Sequence, residues 1–320
     1  MKKILLVRLS SLGDVVHTFP AVTDVARHMA GAELHWAVDA DFAELPALHT
    51  GVARVIPVPL RRIRRPPFDP AVWRAFAEVP ATLRATQYDT ILDLQGLLKT
   101  ALVALLARGP HHGHAATTAR EWFAALFYQH RHRAPRSGHP VIQLRSLAAA
   151  TFGYVMDGPI DYGLRVPPPP PFQPKRAHAV LLHSTSRPAK LWDEDKWILL
   201  GRRIERAGVL CVLPWGRAFE HERAKRLARG LDQALVAPVM TLTEAAGLLA
   251  PANVVVGLDT GLTHLAAAVR TPVVGIYTST SPTDVRPIGL GATAACGEIG
   301  APPSVDEVIA AIERVAPGLI

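Results

Sequence analysis

Two doubly wound α/β domains, each a parallel sheet with helices on both faces and the pair facing a central cleft, are what this sequence predicts. Three observations point there. Short apolar runs alternate with amphipathic helical stretches in both halves, the pattern of right-handed strand–helix–strand crossovers. The 320 residues exceed the roughly 250–300 at which a single core stops growing. Finally, Pro167–Pro171, followed by Phe172, Gln173 and Pro174, forms a stiff extended stretch near the middle that cannot continue a helix or pair in a central sheet. The expected division is residues 1–166, a linker at 167–175, and residues 176–320.

In the first half, Ile4–Val7 reads as a buried strand, and the helix after it runs through Met29 with Val15, Phe19, Val22 and Val25 inward. Pro20 leaves two starts open, one at Asp14 and one capped by Thr18 and entered at Pro20. Strands follow at Leu34–Val38, near Val55 and at Thr90–Leu94, then a helix from Leu97. In the second half, Ala179–Leu182 is a buried strand. Asp193 then begins a helix with Trp197, Leu200 and Ile204 on one face, and Gly208 ends it before the strand Val209–Leu213. A helix at Phe219–Arg229 stops at Gly230, and Thr241 or Thr243 caps one through Leu249. Strand Asn253–Val256, helix Leu262–Val269 and strand Pro272–Tyr277 complete the series.

Composition narrows the function. Hydrophobic residues at 49% and charged residues at 19% exclude a disordered chain. No apolar run approaches the ~20 residues of a membrane span, and Arg8 breaks the N-terminal run too early for a signal peptide, so a cytoplasmic location is expected. Cys211 and Cys296 fit neither a disulfide framework nor a zinc site. His111, His112, His114, His130 and His132 are interleaved with Arg131, Arg133 and Arg136, and cations disfavour a metal there; no metal is expected. The net charge of +8 comes from 35 basic residues, 28 of them Arg. Their forked guanidiniums suit an anionic phosphate or carboxylate partner. Nucleic acid is the poorer candidate, because aromatics are only 6% and no reading motif occurs. Neither half has G-x-G-x-x-G after its first strand, and no G-x-x-x-x-G-K-[ST] occurs, which disfavours dinucleotide oxidoreductases and P-loop phosphotransferases.

Polar groups gather in the turns that follow strands. The first, Arg8–Thr18, puts Asp14 at the mouth of the cleft, where a general base would act. Taken locally, the pattern better suits a carboxylate that simply favours a helix N-terminus electrostatically. In His183–Lys190, three hydroxyls and two cations can converge on a diphosphate. In Gly257–His264, Thr260 and Gly261 stand where a helix begins, a place for an anion on free backbone N–H groups. Two such turns in one domain favour phosphate binding.

Ser10-Ser11-Leu12-Gly13-Asp14-Val15-Val16-His17-Thr18, Leu213-Pro214-Trp215-Gly216 and Asp259-Thr260-Gly261-Leu262-Thr263-His264 resemble the lipopolysaccharide heptosyltransferases. So do Ile56-Pro57-Val58 before Arg61-Arg62-Ile63-Arg64-Arg65, Asp93–Lys99 and Thr118–Glu121, and the likeness runs from Met1 to about Ile276. The resemblance implies a GT-B fold of two Rossmann-like domains and an inverting, metal-free transfer that needs no cofactor. The donor it implies is ADP-L-glycero-β-D-manno-heptose, and the acceptor is the Kdo of Kdo2–lipid A at an anionic inner-membrane surface. It also implies site residues. Asp14 is the base, Thr185, Ser186 and Lys190 hold the donor phosphates, Glu220 the ribose, and Met240 lies against adenine. Asp259 holds the heptose, and Thr260, Gly261 and His264 surround the diphosphate. Arg61, Arg62, Arg64 and Arg65, with Arg120 and Arg145, match the phosphates and carboxylates of the acceptor. A heptosyltransferase of the same fold with another core acceptor is the competing reading.

Overall fold

The computed structural model describes residues 1–62, 69–135 and 137–320. The chain divides into two units, Met1–Arg165 and Val166–Ile320. The first runs β1 (Lys3–Val7), α1 (Leu12–His28), β2 (Glu33–Asp39), α2 (Glu44–Ala47), β3 (Val52–Val58), α3 (Pro70–Arg84), β4 (Thr90–Asp93), α4 (Leu98–Ala104), β5 (His111–His114), β6 (His130–His132) and α5 (Pro140–Phe152). The second runs β7 (His178–Leu182), α6 (Glu194–Arg206), β8 (Leu210–Leu213), α7 (Ala218–Arg229), β9 (Leu235–Val236), α8 (Leu242–Leu249), β10 (Val254–Leu258), α9 (Gly261–Ala268), β11 (Val273–Ile276), α10 (Pro282–Val285), β12 (Thr293–Cys296) and α11 (Val305–Val315).

Both sheets are parallel and share one winding order. The first is β3-β2-β1-β4-β5-β6 and the second is β12-β11-β10-β7-β8-β9. In each, the chain starts in the middle, winds to one edge, and then crosses back to the other side. That reversal puts a switch point between β1 and β4, and another between β7 and β10. In doubly wound sheets the loops leaving the carboxyl ends of such strands diverge and leave room for a ligand.

Largely apolar strands fix these centres. Leu5, Val7, Ile56, Leu83, Tyr88 and Ile91 are buried in one core. In the other, Leu181, Val256 and Val274 meet Trp192 and Trp197, whose rings pack edge to face at 5.1 Å. The Pro167–Pro171 run packs on α8, where a Cβ on Gly247 would lie 2.4 Å from the Pro168 carbonyl oxygen, so only glycine fits.

Two local expectations change. Helix α1 begins at Leu12 and contains Pro20, so the start entered at Pro20 is not adopted. Pro20 removes one helical hydrogen bond, but it is buried with Val16, Phe19 and Val22, and that packing carries the helix through. The histidine-rich segment, which shows no strand signal because it lacks the β-branched and apolar residues that favour strands, nevertheless supplies β5 and the edge strand β6.

Arg145, expected at the acceptor, is instead a buried clamp between α1 and α5. Its Nε donates to Asp24 Oδ2 at 2.6 Å and its Nη2 to Asp24 Oδ1 at 3.2 Å and to the Asp157 carbonyl at 2.8 Å. With the side chains 4% and 5% exposed, it has no face left for a ligand. Lysine keeps the charge but cannot make the fork, so Arg145→Lys should lower unfolding free energy by about 1–3 kcal/mol in denaturant titration. Turnover per folded molecule should stay unchanged.

Candidate active site

At the first switch point, the loop after β1 is held by the loop after β4. Gln95 Oε1 accepts the backbone N–H groups of Leu9 at 2.9 Å and Ser10 at 3.4 Å. Asp93, fully buried at the end of β4, shapes that second loop: its Oδ1 accepts from Gln95 N at 2.7 Å and its Oδ2 from the Tyr128 hydroxyl at 2.7 Å. Burial pushes the Asp93 carboxyl up from its ordinary value, against the pull of these hydrogen bonds.

Asp14 sits in the first turn of α1. Its Oδ2 accepts from the Ser11 N–H at 2.8 Å and from the Ser11 hydroxyl at 3.0 Å. Its Oδ1 accepts from Arg8 Nη2 at 2.7 Å, and Arg120 Nη1 is 3.8 Å away. Burial raises the Asp14 pKa, but Arg8, the Ser11 hydrogen bonds and Arg120 outweigh it and hold the carboxyl below its usual range. Asp14 is therefore both a helix cap and a carboxylate fixed in its ionised form, with 22% of its side chain open to solvent. Oδ2 accepts two hydrogen bonds and Oδ1 only one, so Oδ1 keeps a free lone pair.

Nothing in the sequence marks Arg8 as a site residue. It is buried, and its Nη1 donates to the Leu94 carbonyl, so the guanidinium ties Asp14 to the β4 loop. Arg61 and Arg62 leave the same carboxyl edge beyond β3. The Arg61 guanidinium lies 5.0 Å from the Phe42 ring centre, and Arg62 Nε donates to Asp41 Oδ1 at 2.9 Å. Both are exposed. Arg64 and Arg65 lie outside the described residues. The structure thus joins Asp14 with Arg120, and sets Arg61 and Arg62 farther along that edge.

At the second switch point, Lys190 from the β7 loop meets Asp259 at the end of β10. Lys190 Nζ donates to Asp259 Oδ2 at 2.5 Å, with the side chains 14% and 10% exposed. The Thr280 hydroxyl donates to the same oxygen at 2.8 Å, and His264 Nε2 is 3.6 Å from Oδ1. Burial raises the Asp259 pKa, but His264, Lys190 and Thr280 overcome it and hold this carboxyl far below the ordinary range. Thr280 is the other residue the sequence reading missed.

Helix α9 starts beside this pair. The side chain of its N-cap residue, Thr260, does not cap it; the Thr260 hydroxyl lies 3.3 Å from that of Thr263. Gly257 lets the helix come this close, since a Cβ there would stand 2.4 Å from Thr263 Oγ1. The N-terminus beginning at Gly261 therefore presents backbone N–H groups and the positive end of its dipole beside Lys190. Thr185 and Ser186 share the β7 loop with Lys190; Thr185 is buried and accepts from Arg187 N at 3.4 Å, and Ser186 is exposed. Glu220 lies in the first turn of α7, just after the β8 loop, and Met240 stands on the loop after β9. Glu220 Oε2 accepts from Gly216 N at 2.8 Å and Arg217 N at 2.9 Å, capping α7 and leaving its other oxygen for a ligand. Every expected donor residue thus lies on the carboxyl edge of the second sheet.

Two Rossmann-like units, one edged by a fixed carboxylate and arginines and the other by a lysine, hydroxyls and an open helix N-terminus, define a GT-B glycosyltransferase. The chain matches glycosyltransferase family 9 (heptosyltransferase) over residues 60–311, and it belongs to that family. It is 40% identical over 299 residues to lipopolysaccharide heptosyltransferase 1 of Salmonella typhimurium, covering 92% of this chain and 94% of the relative. It also resembles two structures of the E. coli heptosyltransferase WaaC. The one with ADP gives a TM-score of 0.90 at 36% identity, covering 98% of this chain and 100% of the other. The one with ADP-2-deoxy-2-fluoro heptose gives 0.84 at 37%, covering 97% and 99%.

Proposed function

We propose that this glycosyltransferase moves L-glycero-D-manno-heptose from ADP-heptose to the Kdo of Kdo2–lipid A, as a peripheral enzyme at the cytoplasmic face of the inner membrane. The observation that carries the donor side is the Lys190–Asp259 pair beside the open N-terminus of α9. A leaving ADP gains negative charge on its β-phosphate as the bond to the anomeric carbon breaks. Lys190, the α9 N–H groups and the hydroxyls of Thr185 and Thr260 would take up that charge. Asp259 is held ionised and accepts hydrogen bonds from sugar hydroxyls.

On the acceptor side, the attacking hydroxyl forms the new bond to the anomeric carbon from the face opposite ADP, inverting that centre. Its proton passes to Asp14. The exposed Arg61 and Arg62, with Arg64, Arg65 and Arg120, meet the acceptor's carboxylates and phosphates. Replacing Arg61, Arg62, Arg64 and Arg65 together by Gln should raise the acceptor KM about tenfold or more while ADP affinity stays intact, since charged contacts of this kind contribute about 1.5–3 kcal/mol each when well made. Calorimetry showing ADP affinity falling equally would contradict the separation of the two ligands.

Neutralisation by lysine, hydroxyls and backbone N–H groups supports a metal-independent transfer. Among the described residues, no group of three or more His, Cys, Asp or Glu side chains is placed to hold an ion. EDTA should leave the rate unchanged; loss of activity restored by Mg²⁺ would refute this. The overall reading is tested by ADP release that depends on both ADP-heptose and a Kdo-bearing acceptor. UDP-sugar turnover in its place would overturn it.

A further inference from the structure

The charge of the first unit is unevenly placed. Residues 1–165 hold 19 Lys and Arg against 13 Asp and Glu, and residues 94–156 alone hold seven against one. That stretch therefore accounts for an excess as large as the whole unit's. Its one acid is already engaged, because Glu121 Oε2 accepts from Leu98 N at 2.6 Å.

The same stretch leaves large apolar side chains in solvent. Leu102 and Leu105 at the end of α4 are 47% and 41% exposed, and Trp122 and Leu126 in the short 3₁₀ segment Trp122–Phe127 are 63% and 64% exposed. The two elements pack together through Ala101, Ala124, Ala125 and Tyr128, so these four side chains belong to one packed pair of elements. Single exposed leucines are ordinary, whereas a Trp and three leucines gathered on two packed elements mark a surface that binds something. Lys99, Arg108, Arg120, Arg131 and Arg133, all exposed, surround them in the chain.

We propose that this face docks on an anionic phospholipid bilayer, with Trp122, Leu126, Leu102 and Leu105 entering the headgroup region. An indole suits that depth because its ring is apolar and its N–H can stay wet. The surrounding cations match lipid phosphates, whereas a second copy of this chain would set two strongly basic faces against each other. Position supports the same occupant. Arg120, two residues before Trp122, lies 3.8 Å from Asp14, so a lipid-borne acceptor would emerge from the bilayer beside the reacting carboxylate. The docking deepens the peripheral membrane location proposed above by naming its surface, and its last step rests on the proposed transfer to a lipid acceptor.

The test is flotation of the full chain with vesicles of phosphatidylethanolamine and phosphatidylglycerol, and with phosphatidylcholine alone. Binding is expected only to the first. Changing Trp122, Leu126, Leu102 and Leu105 to Gln should lower partitioning about tenfold and abolish the part that survives high salt. Changing Arg108, Arg131 and Arg133 to Gln should lower it about a hundredfold at low salt, from ~1 kcal/mol per basic residue. Because all seven side chains are exposed, both variants should melt as the parent does. Both should also turn over a deacylated, water-soluble acceptor normally and lose rate only with vesicle-borne acceptor. Unchanged flotation of the apolar variant overturns the proposal. So does light scattering that shows a parent dimer and a monomeric apolar variant. A parent that transfers heptose to neither acceptor overturns the proposed reaction and leaves the flotation result standing.

Discussion

Asp14→Asn should lower kcat by about 10²–10⁴, the usual cost of losing a general base, with ADP-heptose binding little changed. The geometry sharpens this expectation in two ways. First, Asn keeps the shape and an oxygen to cap α1 through the Ser11 N–H, so the helix should survive. Second, the substitution removes the counter-charge of the buried Arg8, and a loss of about 2 kcal/mol in stability is expected from an ion strongly desolvated on one side. Rates should therefore be compared well below the lowered Tm. Arg8 provides an independent check. Its charge is the leading cause of Asp14's depressed pKa, so Arg8→Gln should raise that pKa, reduce the ionised fraction in acid, and move the acid limb of kcat/KM to higher pH. An Asn variant that keeps most of its kcat would show that Asp14 only caps the helix.

How much of this was legible in the sequence depended on how far apart the partners lie. Strands β10 and β11 are continuous apolar runs, as are β1 after Lys3 and β7 after His178, so the order of elements and the polar turns after them could be read directly. In parallel sheets the chain position after a strand fixes the edge of the sheet. That is why Asp14, Lys190 and Asp259 fell where a doubly wound fold keeps its ligands. Thr280 was not legible, because its partner Asp259 is 21 residues away and only the β10–β11 pairing brings them together. Arg145 illustrates the opposite error: in sequence it looks like any other acceptor-seeking arginine, and its buried partner Asp24 is 121 residues distant. Arg8 looked like the residue that interrupts an apolar run. Its placement between Leu94 and Asp14 exists only once β4 lies beside β1. Family resemblance supplied roles, but it could not say which charges were already paired.

Lys190→Ala should lower kcat/KM for ADP-heptose by about 10²–10³, the typical cost of removing one donor aimed at developing charge in an enclosed site. The pairing seen here makes the effect more than a lost contact. In the parent, one ammonium with three N–H donors can hold Asp259 and still donate to a phosphate oxygen. In the variant, the Asp259 carboxylate faces the diphosphate with no cation between them, so bound ADP is repelled as well as unsupported. ADP affinity should therefore fall together with turnover, unlike in Asp14→Asn. Thr280 and His264 still reach Asp259, so the carboxyl should stay ionised at neutral pH even though its pKa rises. The sign of the stability effect follows. Because the parent's Asp259 pKa is depressed, its pairing stabilises the fold above the ordinary carboxylate pKa, and this is lost as pH falls through the lower folded value. The Tm gap between parent and variant should accordingly be widest near neutral pH and close in strong acid. Lys190→Arg separates charge from shape: an arginine restores the counter-charge, so recovery of ADP affinity without full recovery of kcat would place the ammonium's importance in its reach to the leaving oxygen. Donor kinetics unchanged in Lys190→Ala would leave the lysine as a structural partner of Asp259 and move the phosphate site to the α9 N-terminus alone.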